Sequence, residues 1–440
     1  MYEKEEEKLK EYKNIHDDVP LPLEAIDEAI MTGFQKAKFT HKRKKRQKKW
    51  MLSAVLAAII VLSFVTGIRV SPVFAQYVTG IPGMEKIVEL IRDDKGMMAA
   101  VKNDYYQEIR ASAEKDGLKV TIDGAIADTN GIVLFYTLET DEKQKDIMIN
   151  DLELTSAVDE KLDFAHISFG APHESEEGKK SYSGTVEFFF DKPYESREFV
   201  IDLKVQGESV GGEFSIDFKL KKELRHKVTY ELNQTVSMEG QKITFKKATV
   251  YPTRVAVHLE MHPSNTKEIL AFENLRLVDG SGEAWSKINN GVVGSSISDD
   301  EKIIYLQSNY FRNAEELSLV VSRAQAVDRD KSKLLLDLKN EKILMQPAGN
   351  KLRNLEVNGN KVSVELHTKE RFNYGIFGPI LDANGERVKS RTEFSYMASP
   401  GKSFEEIGFN MEGTNIASPI TVELTWYPQW IKEEVRVKIK

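Results

Sequence analysis

The chain contains no cysteine. That one absence removes disulfides, thiolate zinc sites, iron–sulfur clusters and cysteine nucleophiles together. It leaves the compartment open, because an outer surface without disulfide machinery and a cytosol both suit such a chain. The patterns G-x-x-x-x-G-K-[ST], G-x-S-x-G, H-E-x-x-H and the EF-hand loop are also missing. No phosphate cradle, nucleophile elbow, zinc-peptidase helix or calcium loop is therefore legible. Catalytic residues, metal ligands and cofactors are each expected to be none, and the chain is read as not an enzyme.

A third absence is local. Between Trp50 and Ile68 there is no charge, and the 19 residues read WMLSAVLAAIIVLSFVTGI. As a helix they would span about 28 Å, close to the hydrocarbon thickness of a bilayer. Trp50 suits the interface at one edge. On the N-terminal side Lys42, Arg43, Lys44, Lys45, Arg46, Lys48 and Lys49 form a basic run, whereas the other side offers only Arg69 before Lys86. The positive-inside rule places the first 49 residues in the cytoplasm and the C-terminal remainder outside. A nucleic-acid patch is the generic reading of such a run, but its place directly against an apolar segment favours membrane lipid. A cleaved signal peptide is the stronger rival, since Val73-Phe74-Ala75 before Gln76 resembles a cleavage site. The long hydrophilic lead and the length of the apolar run favour an uncleaved anchor at the cell membrane.

What is present is ordinary for folded protein: 440 residues, 30% charged and 41% hydrophobic, enough for several domains. The net charge of −7 conceals zones. Residues 1–35 hold 4 basic and 10 acidic residues, residues 36–49 hold 9 basic and none acidic, and residues 69–440 hold 49 basic and 59 acidic. From Pro20 to Lys38, Leu23, Ile26, Ile30 and Phe34 recur at helical steps and form one apolar stripe. Pro22 suits the first turn, and Glu24, Asp27 and Glu28 suit the positive helix end. Such a short helix must meet lipid, a second copy or a partner groove. Its acidic polar face argues against lipid and favours a protein partner.

Outside the membrane the sequence repeats. Asp116-Gly117-Leu118-Lys119-Val120-Thr121-Ile122, Glu239-Gly240-Gln241-Lys242-Ile243-Thr244-Phe245 and Asn358-Gly359-Asn360-Lys361-Val362-Ser363-Val364 correspond, about 120 residues apart. The first two continue as GAIADTNGIVLFYTLE and KATVYPTRVAVHLEM, each a strand, a turn and an alternating strand. Residues 199–205, 317–321 and 420–426 read as penultimate strands, and residues 214–220, 333–338 and 435–439 as final ones. The fold class is mainly β: three tandem immunoglobulin-like β-sandwiches, one transmembrane helix and a short helical head. The boundaries are 1–49 for the head, 50–70 for the span, 71–110 for a helical connector, then 111–224, 225–347 and 348–440 for the sandwiches. In the connector, Pro82 opens a helix with Met84, Ile87, Val88 and Ile91 on one face, read as packing on the first sandwich.

Other clusters have ordinary explanations. His258 and His262 sit on a strand-like run, where four residues span about 13 Å, too far for joint ligation. Glu174, Glu176 and Glu177 read as a solvated loop beside Gly178. Trp426, Tyr427 and Trp430 around Pro428 read as packing, with a carbohydrate or peptide site as the sharper alternative.

The stretch VSPVFAQYVTGIPGMEKIVELIRDDKG (Val70 to Gly96), followed by EKDGLKVTIDGAIAD, resembles Gram-positive membrane proteins carrying the domain of unknown function 4179. LNQTVSMEGQKITFKKATVYPTRVAVHLEM resembles the domain of unknown function 5643 that often follows it. Such proteins are described as negative effectors, or anti-sigma factors, of extracytoplasmic-function sigma factors. The resemblance implies that Leu23, Ile26, Ile30 and Phe34 hold a sigma factor at the membrane, without direct nucleic-acid contact. The layout of head, span and large C-terminal part adds an envelope ligand or processing proteases as further expected partners. Cleavage would fall near Ser71, Ala75 and Gln76, then within the span where Thr66 and Gly67 weaken the helix. The head departs from the zinc-binding anti-sigma type, since it has no cysteine. A surface-anchored adhesion protein is the alternative, and an envelope hydrolase on a sandwich scaffold a weaker one.

Overall fold

In the computed structural model, the residues described are 84–156, 162–169, 173–286, 288, 294–393, 404–413 and 415–440, together with Glu6 and Lys8. The chain divides into Met1–Arg69 and Val70–Lys440, and every element below belongs to the second. The cytoplasmic helix, the basic run, the apolar run 50–68 and the processing region 66–76 lie outside the described residues. Among the described residues, no helix is long and apolar enough to cross a membrane.

The described chain is mainly β. Two short helices, α1 (Glu85–Ile91) and α2 (Lys95–Lys102), precede three β modules. The first module comprises β1 (Gln107–Lys115), β2 (Leu118–Asp128), β3 (Gly131–Ser156), β4 (Phe164–Phe169), β5 (His173–Phe190), β6 (Glu198–Gly207) and β7 (Gly211–Lys219). It is not two separate sheets. All seven strands belong to one antiparallel sheet ordered β1-β2-β3-β5-β4, with β6 added to β3 and β7 to β6. The 26-residue β3 makes this possible. Its first half pairs with β2 and β5 and its second half with β6, across register shifts at Glu139/Gln144 and Ile149/Asp151 that bend it. The sheet folds over a core in which Leu118, Val120 and Ile122 join Phe199, Ile201 and Phe214.

The second module holds β8 (Val228–Met238), β9 (Gln241–Val250), β10 (Val255–Met261), β11 (Lys267–Phe272), β12 (Arg276–Asp279), β13 (Ala284–Trp285), β14 (Gly294–Ser296), β15 (Glu301–Leu306), β16 (Leu317–Val321) and β17 (Ala324–Asp328). The third holds β18 (Lys333–Asp337), β19 (Lys342–Met345), β20 (Leu352–Asn358), β21 (Lys361–Leu366), β22 (Phe377–Leu381), β23 (Arg387–Glu393), β24 (Glu405–Glu412) and β25 (Ile420–Leu424). Two last strands, β26 (Trp430–Ile431) and β27 (Val435–Lys438), return to the second module. There β26 pairs with β17 and β27 with β16, and Ile431 and Val437, each 1% exposed, join the core of Phe245, Leu259 and Leu319.

This corrects the sequence reading of the closing strands. Residues 333–338 do not end the second module, because β18 pairs with β25 in the third. Residues 435–439 do not end the third, because β27 lies in the second. The third module is thus inserted into the second between β17 and β26. Gln325 and Trp430, the neighbours at which the chain departs and returns, are paired residues of one ladder. A strand of four residues carries no signal of its partner, and tertiary packing decides it.

The repeats recur as three hairpins, β1–β2, β8–β9 and β20–β21. Each has a bulge in its first strand with one residue in the left-handed region: Arg110 (φ 56), Asn233 (φ 48) and Asn354 (φ 48). In the first two, the turn residues Asp116-Gly117 and Glu239-Gly240 all have positive φ, as a type I′ turn requires. In the third, Gly359 is the first turn residue, so that turn falls one position later in the motif.

Candidate functional site

Chain 84–102 precedes the β modules and is the part of the described chain nearest the apolar run 50–68 in sequence. In α1, Ile87, Val88 and Ile91 are buried; in α2, Gly96, Met97, Met98, Ala100 and Val101 are. Asp94 caps α2 by accepting from the Met97 amide at 2.9 Å. At the other end the Asn103 side-chain amide donates to the Ala99 carbonyl at 2.8 Å. The helical pair packs on Ile126, Val133 and Phe135, on the face of the first sheet opposite its own core. The Tyr106 ring meets Phe135 edge-on at 5.6 Å. Full burial of each such aliphatic side chain contributes about 1.5–3 kcal/mol. The helix read from Pro82 is observed from Glu85, whereas α2 was not foreseen.

The same helices also touch the second module. The Gln307 side chain donates to the Asp93 carbonyl at 3.0 Å and accepts from the Lys95 amide at 3.3 Å. Lys95 Nζ donates to the Ala284 carbonyl at 2.9 Å. Gly96 lies against the backbone of Ser308 so closely that a Cβ there would come within 2.5 Å of its nitrogen. Only glycine permits this approach.

A strap completes the seat. Residues 221–227 leave β7 and cross the start of β1, where Gln107 Oε1 accepts from the amides of Lys221 (2.6 Å) and Lys222 (3.1 Å). The Arg225 amide donates to the Tyr105 hydroxyl at 2.9 Å, and its guanidinium covers the rings of Tyr105 and Phe311. Burial pushes the Tyr105 phenol up to about 12.

Beside this seat the equivalent turns of the first two repeats, Asp128–Gly131 and Tyr251–Arg254, face one another. Asp128 Oδ2 accepts from Thr253 Oγ1 at 2.5 Å and from its amide at 3.1 Å, while Oδ1 accepts from the Asn130 amide at 2.8 Å. Burial raises the Asp128 carboxyl above its usual range, opposed by the Arg254 charge and these hydrogen bonds. Arg254, 3% exposed, donates to the Asn130 carbonyl at 3.2 Å and lies 3.7 Å over the Phe189 ring. A Cβ on Gly131 would strike its Nη1 at 2.6 Å. The arrangement holds α1 and α2 against two modules at once. Its chemistry is positioning.

The sequence-derived site residues Leu23, Ile26, Ile30, Phe34, Thr66, Gly67, Ser71, Ala75 and Gln76, with Trp50 and the basic run, fall outside the described residues. His258 Nε2 lies 3.9 Å from Glu301, and His262 Nδ1 lies 2.7 Å from Ser264 Oγ. Glu174, Glu176 and Glu177 are in strand β5 and not in a loop. Tyr427 is wholly buried and its amide donates to Gln325 Oε1 at 2.9 Å. Trp430 Nε1 donates to Glu273 Oε1 at 2.5 Å, beneath the Arg323 guanidinium at 4.4 Å. These aromatics fasten the returning chain. Asp128, Thr253, Arg254 and Gln307 were missed by sequence reasoning, although the turns D-T-N-G and P-T-R sit at matching places in the repeats.

Comparison with known families places residues 44–140 in a match to the domain of unknown function DUF4179. Residues 227–358 match the family of unknown function DUF5643, in the order read from the sequence. The first of these is known in anti-sigma-factor-like proteins. No curated protein matches. A solved structure, the crystal structure of the conserved domain protein from Bacillus anthracis, is similar at 18% identity over 55% of this chain and 84% of that chain, with a TM-score of 0.38.

Proposed function

We propose that the chain is a single-pass membrane anti-sigma factor, with its N-terminus in the cytoplasm and its β modules outside. The carrying observation is the match of residues 44–140 to a domain known in anti-sigma-factor-like proteins. That match begins at Lys44 within the basic run, spans the apolar run and both helices, and reaches Thr140 in β3. In this reading the stripe of Leu23, Ile26, Ile30 and Phe34 binds an extracytoplasmic-function sigma factor. The modules act as receptors for the state of the envelope, and the seat of α1 and α2 carries their arrangement to the membrane. Release follows either cleavage near Ser71 to Gln76 or a change in that seat. No enzymatic step is part of the reading.

The test is co-purification of the full-length protein from membranes, beside the Ile26→Asp, Ile30→Asp double variant, with bound proteins identified by mass spectrometry. A sigma factor recovered with the wild type and lost with the variant is the expected result. Recovery of none by either protein, when both are intact in the membrane, overturns it. The surface-adhesion alternative is tested separately by excising the inserted module. Loss of wall association with every intracellular readout unchanged would favour it. Deletion of 351–440 cannot serve this purpose, because it also removes β26 and β27 from the second module.

A further inference from the structure

Strands β22 and β23 are hydrogen-bonded neighbours only at Ile380↔Val388 and Leu381↔Arg387. Beyond these they part. The pairing of β22 with β25 shifts register between Phe377 and Ile380, while Lys389 to Glu393 of β23 pair with β24. The divergence opens a groove of about 800 Å³ between Phe377-Gly378-Pro379 and the row 387–391, with Glu412 at one side. Along β23 exposure alternates: Arg387, Lys389 and Arg391 are exposed, while Val388 and Ser390 are half-buried. Alternate residues of a strand are about 6.8 Å apart on one face. Three cations therefore line the groove at one regular interval.

We propose that this groove binds a linear phosphodiester polymer of the polyol-phosphate type. Such a polymer carries one negative charge per repeat at a spacing close to that of the three cations. Charge complementarity supplies the attraction. Two other polyanions fit less well. A nucleic acid gains from aromatic platforms for its bases, and among the described residues the one aromatic lining the groove, Phe377, is 8% exposed. An acidic peptide added as a strand needs an unbroken edge, and here the β22 side is interrupted by the register shift and by Pro379, which has no amide hydrogen. Glu412, 3.4 Å from Arg391, tempers the row. The inference is independent of the sigma-factor reading, since it concerns the inserted module alone.

The test uses the full-length protein in detergent and a short synthetic poly(glycerol phosphate), titrated calorimetrically at several salt concentrations. The basic run Lys42–Lys49 adds the same background to every variant. The Arg387→Gln, Lys389→Gln, Arg391→Gln triple variant is expected to bind at least about tenfold more weakly. The salt slope of its log K should fall by about 2, the share of three single-strand contacts. Glu412→Gln, which removes the only carboxylate that lines the groove among the described residues, is expected to tighten binding several-fold. Because that variant gains binding, it tests the site even if the triple variant unfolds. Equal binding by the folded triple variant, or no gain with Glu412→Gln, overturns the proposal. So does equal or tighter binding of poly-glutamate or oligothymidylate at the same residues.

Discussion

Thr253 of the second module gives both its amide and its hydroxyl to one oxygen of Asp128 in the first, at 3.1 and 2.5 Å. The pair sits where the equivalent turns of two repeats meet, away from solvent. Asp128→Ala leaves the donors of Thr253 and Asn130 without their acceptor and the buried Arg254 without its counter-charge. A loss of about 3 kcal/mol is expected. Thr253→Val removes one hydrogen bond and is expected to cost about 1–2 kcal/mol. Urea unfolding followed by tryptophan fluorescence measures both, and a midpoint unchanged in Asp128→Ala would contradict the role given to the pair.

A pH response follows from Asp94. Burial pushes its carboxyl up to about 6 from 3.8, against the hydrogen bonds it accepts at the start of α2. The folded state therefore holds this proton more tightly than the unfolded one. Its contribution favours folding most below the unfolded value, near pH 4 and lower, and declines as pH rises to about 6. The residue keeps some contact with solvent, so the decline is about 1–2 kcal/mol and less than the full shift implies. Asp94→Asn keeps a cap acceptor and removes the titration. The variant is expected to exchange the α2 amides more slowly than wild type at pH 7, with the difference gone near pH 4.

Arg110 occupies a left-handed position, φ 56, that its counterparts Asn233 and Asn354 fill with the residue best suited to it. Its ion pair with Glu108 is mostly exposed, the two side chains 71% and 58% accessible, and offers little in return. Arg110→Asn is expected to raise stability by about 0.5–1 kcal/mol. A fall in the melting temperature would sink this account of the bulge.

Gly96→Val places side-chain atoms where the Ser308 backbone already is. The expected result is faster hydrogen exchange in residues 95–102 with the β cores unaltered. Under the proposed function, the same variant should change sigma-factor output without any change at Ile26 or Ile30.

Truncation after Gln429 is expected to unfold the second module, and Val437→Asp to cost more than about 3 kcal/mol. Replacing residues 329–427 by a short Asn-Gly turn should instead leave it folded, because β17 and β26 already lie side by side. Limited proteolysis with mass spectrometry separates the two results.

The sequence revealed what is periodic and local. Alternation in FSIDFKL and VRVKI marked strands, and the recurrence around Gly117, Gly240 and Gly359 marked three equivalent places that prove to be hairpins. It could not reveal pairings set by packing at long range. Val435–Lys438 reads equally well as the last strand of either module, and only the space beside Leu319 decides. The single folded sheet of the first module was hidden for a similar reason. β3 runs 26 residues without a turn signal, and its bend comes from register shifts against its partners. The Asp128–Thr253 contact joins two turns that would ordinarily be solvated, so nothing local set it apart.

The route of the chain also fixes an order of manufacture. The second module lacks β26 and β27 until residues 430–438 have been made and, on the proposed topology, carried across the membrane. Until then Val321 and the rest of β16 present an open edge, although the inserted module ahead of them already has all its strands. A chain halted before Trp430 therefore shows, on that topology, an unfinished sheet to any protease outside, and residues 430–438 act as the closing latch of the second module.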